Sequence, residues 1–349
     1  MTNDNEQTDC NTLGDGVFGR PPSFVESSVE ESTLYTVFEL LNRPKPAVSW
    51  FWGEGSEGVL PADSIAAVAG YTSEGKTTLA FHLVAAAADG GRFLGRAVAP
   101  IKKALIVTET DEIQARELFE ASGVSPEGQR RISVYAGQPT AEQLEGMLAV
   151  FKPDVLVLDS LTSVAPGLGL HGGSTFDWYA PTHITSVMLW IRSIRQLYKI
   201  KMVLVLVHAV KPPRDKDGNR RRLTPTAADV RGSGAVLEQA DTSYVIVPTN
   251  GDACGFLARV KRRRAGTVER VEFKYDVERG VYLPTELRDE DVLGAVAAGQ
   301  TSRERVARYL HFRSDDVRQT INRLIGEGKL TEPTSGKLKN SLDSEGDKA

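Results

Sequence analysis

This chain of 349 residues has few cysteines, a small net charge and no long apolar run. Its two cysteines, Cys10 and Cys254, are too few for a disulfide framework or a zinc cluster, and such sparing use is typical of a reducing compartment. No uninterrupted apolar stretch approaches the ~18 residues that a membrane-spanning helix needs. The N-terminus also lacks the basic segment and apolar run of a secretion signal. We therefore expect a soluble cytoplasmic protein without a membrane partner.

The formal net charge of −4 hides an uneven distribution. Residues 1–32 contain seven acidic side chains and a single basic one, Arg20, so the rest of the chain carries a net charge of +2. We interpret residues 1–45 as a disordered acidic arm and lead-in. Basic residues elsewhere concentrate in Lys211–Arg222 and Arg259–Arg264. The mildly acidic average therefore does not exclude a nucleic-acid partner.

Residues 46–284 alternate short apolar runs with amphipathic helical patterns. The apolar runs are Ile65–Ala69, Ala104–Thr108, Ile132–Tyr135, Val155–Asp159, Met202–His208 and Tyr244–Val247, and the helical patterns lie near residues 76–88, 111–122, 140–150 and 183–198. Strands that are almost wholly apolar and alternate with helices indicate a parallel sheet covered on both faces. Closely spaced strands after residue 250 predict an antiparallel edge. The fold class is therefore α/β.

The composition changes again near Pro284. Residues 289–328 have the pattern of three short helices, and Lys329–Ser341 have the pattern of a β-hairpin. Thr301 and Glu304 are spaced as a capping box. Residues 285–341 resemble a winged helix-turn-helix whose recognition helix, 314–326, would read DNA. The side chains it would expose are Arg313, Arg318, Gln319, Asn322 and Arg323. A small helical bundle for subunit contacts is the open alternative, and residues 342–349 are expected to form a flexible tail.

The most specific motif is a phosphate loop. Residues 70–77 match the Walker A pattern G-x-x-x-x-G-K-[ST] between a strand and a helix, which is the context that the motif requires. Backbone N–H groups of such a loop face phosphate oxygens, while Lys76 neutralises charge on the β- and γ-phosphates and Thr77 ligates Mg²⁺. The nucleotide-binding candidates are Gly70, Tyr71, Thr72, Ser73, Glu74, Gly75, Lys76, Thr77 and Thr78.

Two carboxylates complete this candidate site. Asp159 ends a buried strand, as the Walker B aspartate does, and would hold Mg²⁺ together with Thr77. Hydrolysis also needs a group that orients and deprotonates water. Ser160 follows Asp159, so no glutamate stands directly after it, and Glu109 at the end of the strand Ala104–Thr108 is the preferred general base. Asp111 and Glu112 are expected to begin the next helix instead.

Together these features resemble the RecA-like ATPases of the AAA family, in particular the replicative-helicase branch typified by DnaB and the plasmid RepA helicase. The segments Ala228–Asp241 and Val260–Gly266 are similar to two further helicase segments. The resemblance implies ATP and Mg²⁺ bound between subunits of a hexameric ring. It also implies that Lys261 and Arg263 reach the neighbouring subunit's nucleotide, although Arg262, Arg263 and Arg264 leave the register open. His208 matches a polar sensor position in that family.

The same resemblance points to DNA. The loops 166–181 and 211–225 stand where the family's DNA-binding loops project, and basic or aromatic loops suit single-stranded DNA. The expected function is an ATP-hydrolysing ring helicase in plasmid, phage or mobile-element replication. The alternative is a DNA-binding regulator or recombination mediator that uses ATP without unwinding. Trp50, Phe51 and Trp52 could pack on the core, contact an adenine or touch a neighbouring subunit.

Overall fold

The computed structural model divides the chain into two compact units, residues 1–46 and 47–349. The residues that it describes are 35–44, 47–71, 74–171, 175–209, 230, 233–248, 254–262, 268–285, 287, 289–310, 312, 314–331 and 338–340. The expected flexible tail 342–349 and the acidic residues 1–32 lie outside this part of the chain. Within the first unit, Val37–Asn42 form the short helix α1, which begins with a capping box between Thr36 and Glu39. The arm therefore includes one helical turn that its composition did not predict.

The second unit contains strands β1–β15 and helices α2–α11. The strands are β1 (Trp50–Trp52), β2 (Leu60–Pro61), β3 (Ser64–Gly70), β4 (Arg92–Phe93), β5 (Arg96–Ala97), β6 (Ala104–Thr108), β7 (Ile132–Ala136), β8 (Val155–Asp159), β9 (Met202–His208), β10 (Thr242–Pro248), β11 (Cys254–Arg262), β12 (Arg270–Asp276), β13 (Val281–Leu283), β14 (Leu330–Thr331) and β15 (Lys339–Asn340). The helices are α2 (Lys76–Asp89), α3 (Glu112–Ser122), α4 (Pro126–Gln129), α5 (Ala141–Phe151), α6 (Leu161–Gly167), α7 (Pro181–Leu197), α8 (Ser233–Gln239), α9 (Asp289–Ala297), α10 (Arg303–Leu310) and α11 (Ser314–Gly326). Among the described helices, none combines the length and apolar character needed to cross a bilayer.

The central sheet has the strand order β13-β12-β11-β10-β3-β9-β8-β6-β7 over the described residues. The run from β10 to β7 is parallel, and β11, β12 and β13 add an antiparallel edge. This confirms the predicted α/β class with a mostly parallel sheet. Strand β9 lies between β3 and β8, so the two strands that carry the Walker motifs are not direct neighbours.

Successive side chains of a strand point to opposite faces of the sheet, and in the central strands β3, β6, β8 and β9 the side chains of both faces are buried. On β3, Ala66 and Val68 pack in one hydrophobic cluster with α2 and α3, whereas Ile65, Ala67 and Ala69 pack in a second with α5 to α8. This burial on both faces explains why these four central strands contain almost no polar residues. It also leaves the ends of the strands as the places where polar groups can gather.

The aromatic segment before the core packs on the core. Phe51 and Trp52 are fully buried, and Trp52 Nε1 donates a hydrogen bond of 3.0 Å to the carbonyl oxygen of Phe93. Trp50 lies against Gly58, where a Cβ atom would come within 2.4 Å of the indole ring. Of the three roles left open for this segment, the structure supports packing.

Residues 289–340 form three helices and the two-stranded ribbon β14–β15 around a hydrophobic cluster of their own. The ribbon's connecting residues 332–337 lie outside the described part, as do His311 and Arg313. The predicted capping box at Thr301 is wrong. Helix α10 begins at Arg303, where Ser302 Oγ accepts the N–H of Arg305, and the Thr301 carbonyl oxygen accepts the N–H of Leu338.

A buried ion pair ties this C-terminal module to the core. Arg92 on β4 lies 2.7 Å from Asp291 of α9, and the Asp291 side chain is only 2% exposed. Arg92 also donates to the carbonyl oxygen of Gly95. A buried carboxylate needs such a partner, since an unpaired charge in the interior is costly. The module is therefore held at a defined position against the strands that follow α2.

Candidate nucleotide-binding site

Strand β3 ends at Gly70, and the chain turns through the phosphate loop into α2 at Lys76. Gly75 is the residue before the helix and has φ of +78°, in the left-handed region that favours glycine. The first N–H groups of α2 have no partner within the helix, so they are available to an anion. Thr77 and the buried Thr78 lie in this first turn. Thr72 and Ser73 fall outside the described residues.

Lys76 lies under the loop. Its side chain is buried, and Nζ donates to the carbonyl oxygens of Gly70 at 3.1 Å and Tyr71 at 2.8 Å. Burial lowers the pKa of this ammonium, an effect opposed by the negative charges of Asp159, Glu74 and Glu109. A buried ammonium beside the N-terminus of a helix is an arrangement that favours binding of a phosphate.

Thr77 and Asp159 meet although 82 residues separate them. Thr77 Oγ1 donates to Asp159 Oδ1 at 3.1 Å, and Thr108 Oγ1 donates to Asp159 Oδ2 at 2.9 Å. Burial raises the pKa of the Asp159 carboxyl, while the two hydroxyl donors and Lys76 act in the opposite direction. Sequence reasoning missed Thr108. The available signal was a hydroxyl residue at the end of an otherwise apolar strand.

Glu109 lies beside Asp159 because β6 and β8 are adjacent, with Thr108 paired to Asp159. The backbone N–H of Glu109 donates to the carbonyl oxygen of Asp159 at 3.0 Å, and its carboxylate accepts a hydrogen bond from Ser163 Oγ. Burial raises the pKa of the Glu109 carboxyl, and the charge of Asp159 raises it further against the opposing effect of Lys76. A carboxylate whose pKa is raised toward neutral pH is suited to accept a proton.

The neighbouring acids have structural positions. Asp111 is the N-cap of α3, where its side chain accepts the Gln114 N–H at 2.8 Å. Glu112 lies in the first turn of the same helix and is exposed. Both positions agree with the expectation that these residues begin the helix.

His208 ends β9 and pairs with Gly70 in the parallel register, so it lies next to the start of the phosphate loop. Lys261 is not part of this group. It lies on β11, where it pairs with Ser243 of β10, and is therefore two strands from β3. Strand geometry places its Cα roughly 14 Å from that of Gly70. Arg263 and Arg264 lie outside the described residues. The assignment of Lys261 and Arg263 to a neighbouring subunit's nucleotide stays a prediction.

The two loops proposed for DNA differ in what the structure shows. All of 211–225 lies outside the described residues, as does 172–174 of the other loop. The loop 166–181 begins within α6, which extends to Gly167. Phe176 and Trp178 are half-buried against the core with ring centroids 5.1 Å apart, whereas Tyr179 is 80% exposed. Of these three aromatic rings, that of Tyr179 is therefore the one exposed to solvent.

A second residue that sequence reasoning missed is Tyr282 on β13. Its single hydroxyl proton is shared between two carbonyl oxygens, those of Glu74 at 3.2 Å and Gly75 at 3.1 Å. Glu74 in turn accepts the Tyr71 N–H through Oε2 at 2.8 Å. No local pattern marks Tyr282, since it follows the loop by more than 200 residues and stands in a short apolar strand.

The donor set fits Mg²⁺ bound together with a nucleotide. No cluster of three or more His, Cys, Asp or Glu side chains within the described ranges could hold a metal by itself. Thr77 and Asp159 instead offer one hydroxyl and one carboxylate at the mouth of the phosphate loop. Mg²⁺ keeps several waters and is commonly held by one or two carboxylates and substrate phosphates, so a closed protein cage is not required.

Comparison with known proteins agrees with this geometry. A family model described as an AAA domain matches residues 26–214, just over half of the chain. The chain belongs to this AAA domain family. As an AAA domain protein whose Walker residues Thr77 and Asp159 meet beside a mostly parallel sheet, it has the core of a P-loop ATPase. A solved structure of the RadB recombinase is similar at 16% identity and a TM-score of 0.43, with 64% of this chain and 92% of that chain covered. No curated protein matched the sequence.

Proposed function

We propose that this AAA domain protein is an ATP-hydrolysing motor that acts on DNA as a ring helicase. The observation that carries the proposal is the meeting of Thr77, Asp159 and Glu109 at the mouth of the phosphate loop. Three elements distant in sequence supply these groups, and their meeting supports a role in hydrolysis of a nucleoside triphosphate. ATP is the proposed substrate, and Mg²⁺ is the proposed metal.

The proposed step is attack of water on the γ-phosphorus of ATP. The new bond joins the water oxygen to phosphorus, the bond to the β–γ bridging oxygen breaks, and Glu109 accepts the proton that water loses. Lys76 and the N–H groups of the loop bind the phosphates and offset their charge. Bound Mg²⁺ would neutralise charge on the β- and γ-oxygens, held by Thr77 and, through water, by Asp159.

A homo-oligomer, proposed as a hexamer, would complete the site. Lys261 lies two strands from the strand that leads into its own phosphate loop, and this separation supports the proposal that it acts on a neighbouring subunit's nucleotide. Arg263 would be the arginine finger that stabilises transition-state charge. Mass measurement in solution with and without a non-hydrolysable ATP analogue tests this. A monomer under both conditions would remove the trans assignment.

The proposed DNA contacts are the loops 166–181 and 211–225. In the C-terminal module, two of the α11 side chains expected to read DNA contact residues of their own module. Arg323 bridges Asp289 and Glu327, and Asn322 accepts a hydrogen bond from Arg303 at 2.9 Å. Tyr179 is an exposed ring available for stacking.

The decisive experiment measures ATP hydrolysis with and without single-stranded DNA, together with strand displacement on a forked duplex. Wild-type protein should be stimulated by DNA and should unwind, and Lys76→Ala should lose both activities. Basal hydrolysis that DNA does not alter would contradict the motor. Stimulation without strand displacement would instead favour a non-unwinding regulator or recombination mediator. Tyr179→Ala should weaken DNA stimulation while leaving basal hydrolysis unchanged.

A further inference from the structure

Tyr282 contacts the phosphate loop from outside the Walker motifs. It lies on β13, which joins the edge of the sheet through β12. Its ring is buried and packs against Phe273 and Tyr275, with centroids 4.8 Å and 5.1 Å away. Its hydroxyl reaches two consecutive carbonyl oxygens of the loop, those of Glu74 and Gly75. A buried ring fixed on two sides holds this hydroxyl in one place.

Because the peptide unit is planar, this contact determines the direction in which the N–H groups of Gly75 and Lys76 point. Each carbonyl belongs to the same planar unit as the N–H of the following residue, and in a trans peptide the two groups point in opposite directions. A hydrogen bond from Tyr282 to the Glu74 carbonyl therefore aims the Gly75 N–H away from the tyrosine. The bond to the Gly75 carbonyl does the same for the Lys76 N–H. These N–H groups belong to the turn that cradles phosphates.

Gly75 shows how tightly the two residues are matched. A Cβ atom at position 75 would lie 2.1 Å from the Tyr282 hydroxyl oxygen. The carbonyl of Gly75 also accepts the N–H of Leu79 at 2.9 Å, so it is held both by the helix and by the tyrosine. Burial raises the pKa of the Tyr282 phenol, and the hydroxyl therefore remains a donor at physiological pH.

We propose that Tyr282 is a positioning residue for nucleotide binding, which orients the Gly75 and Lys76 N–H groups toward the phosphates. This inference rests on the proposed function only in requiring that the loop binds ATP. It assigns a binding role to a strand at the antiparallel edge, outside both Walker motifs. Because β13 leads directly through Pro284 into the C-terminal module, the same strand connects that module to the phosphate loop.

The test compares Tyr282→Phe with Tyr275→Phe in the full chain. Both variants lose one hydroxyl from the same ring cluster, but only Tyr282 donates to the loop. Titration calorimetry with ATP and Mg²⁺ should give a Kd about 5–10-fold higher for Tyr282→Phe, the size expected for losing one net hydrogen bond. Tyr275→Phe should bind as the wild type does. The KM for ATP should rise by the same factor with kcat nearly unchanged, since the contact serves ground state and transition state alike.

Two results would overturn the proposal. One is a wild-type Kd for Tyr282→Phe, and the other is an equal loss in Tyr275→Phe, which would indicate a general effect of packing. Thermal unfolding of both variants establishes that the rings still pack. Failure of DNA to stimulate the wild-type ATPase would contradict the proposed motor but would leave this measurement of ATP affinity intact.

Discussion

The hydroxyl of Thr77 lies 3.1 Å from Asp159 Oδ1. This hydrogen bond joins α2, the helix after the phosphate loop, to β8, which lies two positions from β3 in the sheet. The other carboxylate oxygen of Asp159 accepts from Thr108 on a third element. Asp159 is thus held by one residue of the Walker A motif and by one residue that belongs to neither motif. Its orientation depends on both.

Thr108→Val should weaken Mg²⁺-dependent hydrolysis. Valine has nearly the same shape as threonine but cannot donate to Asp159 Oδ2, so the carboxylate loses one of its two hydroxyl partners. Loss of such an outer partner commonly costs 10–100-fold in metal affinity or activity, and a shift of about 10-fold in the Mg²⁺ concentration for half-maximal rate is expected. Thr162→Val is the matched control, because the buried Thr162 Oγ1 has no hydrogen-bond partner among the described residues. Equal effects of the two changes would refute this account.

Glu109→Gln should lower kcat by about 10²–10⁴-fold and leave the Kd for ATP close to wild type. Glutamine keeps the size of the side chain but cannot accept the proton from water. Single-turnover hydrolysis and titration with ATP separate the two effects. Glu112→Gln, an exposed change in the first turn of α3, serves as the control. A kcat within a few-fold of wild type would transfer the role of general base to another residue.

The pH at which kcat falls on the acid side of its pH profile should be higher than the pKa of an ordinary glutamate. Burial and the nearby charge of Asp159 raise the pKa of Glu109, and a base must be unprotonated to act. Activity is therefore lost as pH falls through that raised pKa. A pH series of kcat at saturating ATP and Mg²⁺ checks this. An acid limb at or below about 4.3, the unperturbed glutamate value, would count against Glu109.

Asp159→Asn should increase stability near neutral pH while it impairs hydrolysis. Burial raises the pKa of Asp159 in the folded state above its value in the unfolded state. The stability that the protonated carboxyl contributes is therefore complete below the unfolded-state pKa and is lost as pH rises through the folded-state pKa. At pH 7.5 the charged carboxylate therefore costs stability, and asparagine removes that cost. Thermal unfolding should give a higher Tm for the variant at pH 7.5, with the difference shrinking toward acid pH. A lower Tm at pH 7.5 would contradict the argument.

Arg92→Ala should destabilise the attachment of the C-terminal module. Its loss leaves the buried Asp291 carboxylate without its partner, which costs up to ~3 kcal/mol. Urea unfolding measures the change. Arg116→Ala removes a fully solvated i,i+4 pair with Glu120 and should have little effect. The double variant Arg92→Met with Asp291→Leu should regain most of the loss, because it buries no unpaired charge. No recovery would mean that the ion pair is not the source of the effect.

Much of the core was predictable because its signals are local. The predicted strands Ala104–Thr108, Val155–Asp159 and Met202–His208 have the observed bounds, since an apolar run of strand length is visible without knowing its neighbours. The phosphate loop is equally local. The cap of α10 was misplaced by one residue because Thr301 and Ser302 are both good N-cap residues, and Ser302 is the one whose hydroxyl accepts the Arg305 N–H.

The sequence by itself determined the main strands and helices of the sheet and the phosphate loop, because each depends on residues close together in the chain. Tertiary structure alone decided which of these elements are neighbours. Glu109 lies beside Asp159 only because β6 pairs with β8, and Tyr282 reaches Gly75 only because β13 closes the far edge of the sheet. Pairing between distant strands depends on the packing of the whole sheet, and no stretch of sequence shows it in isolation.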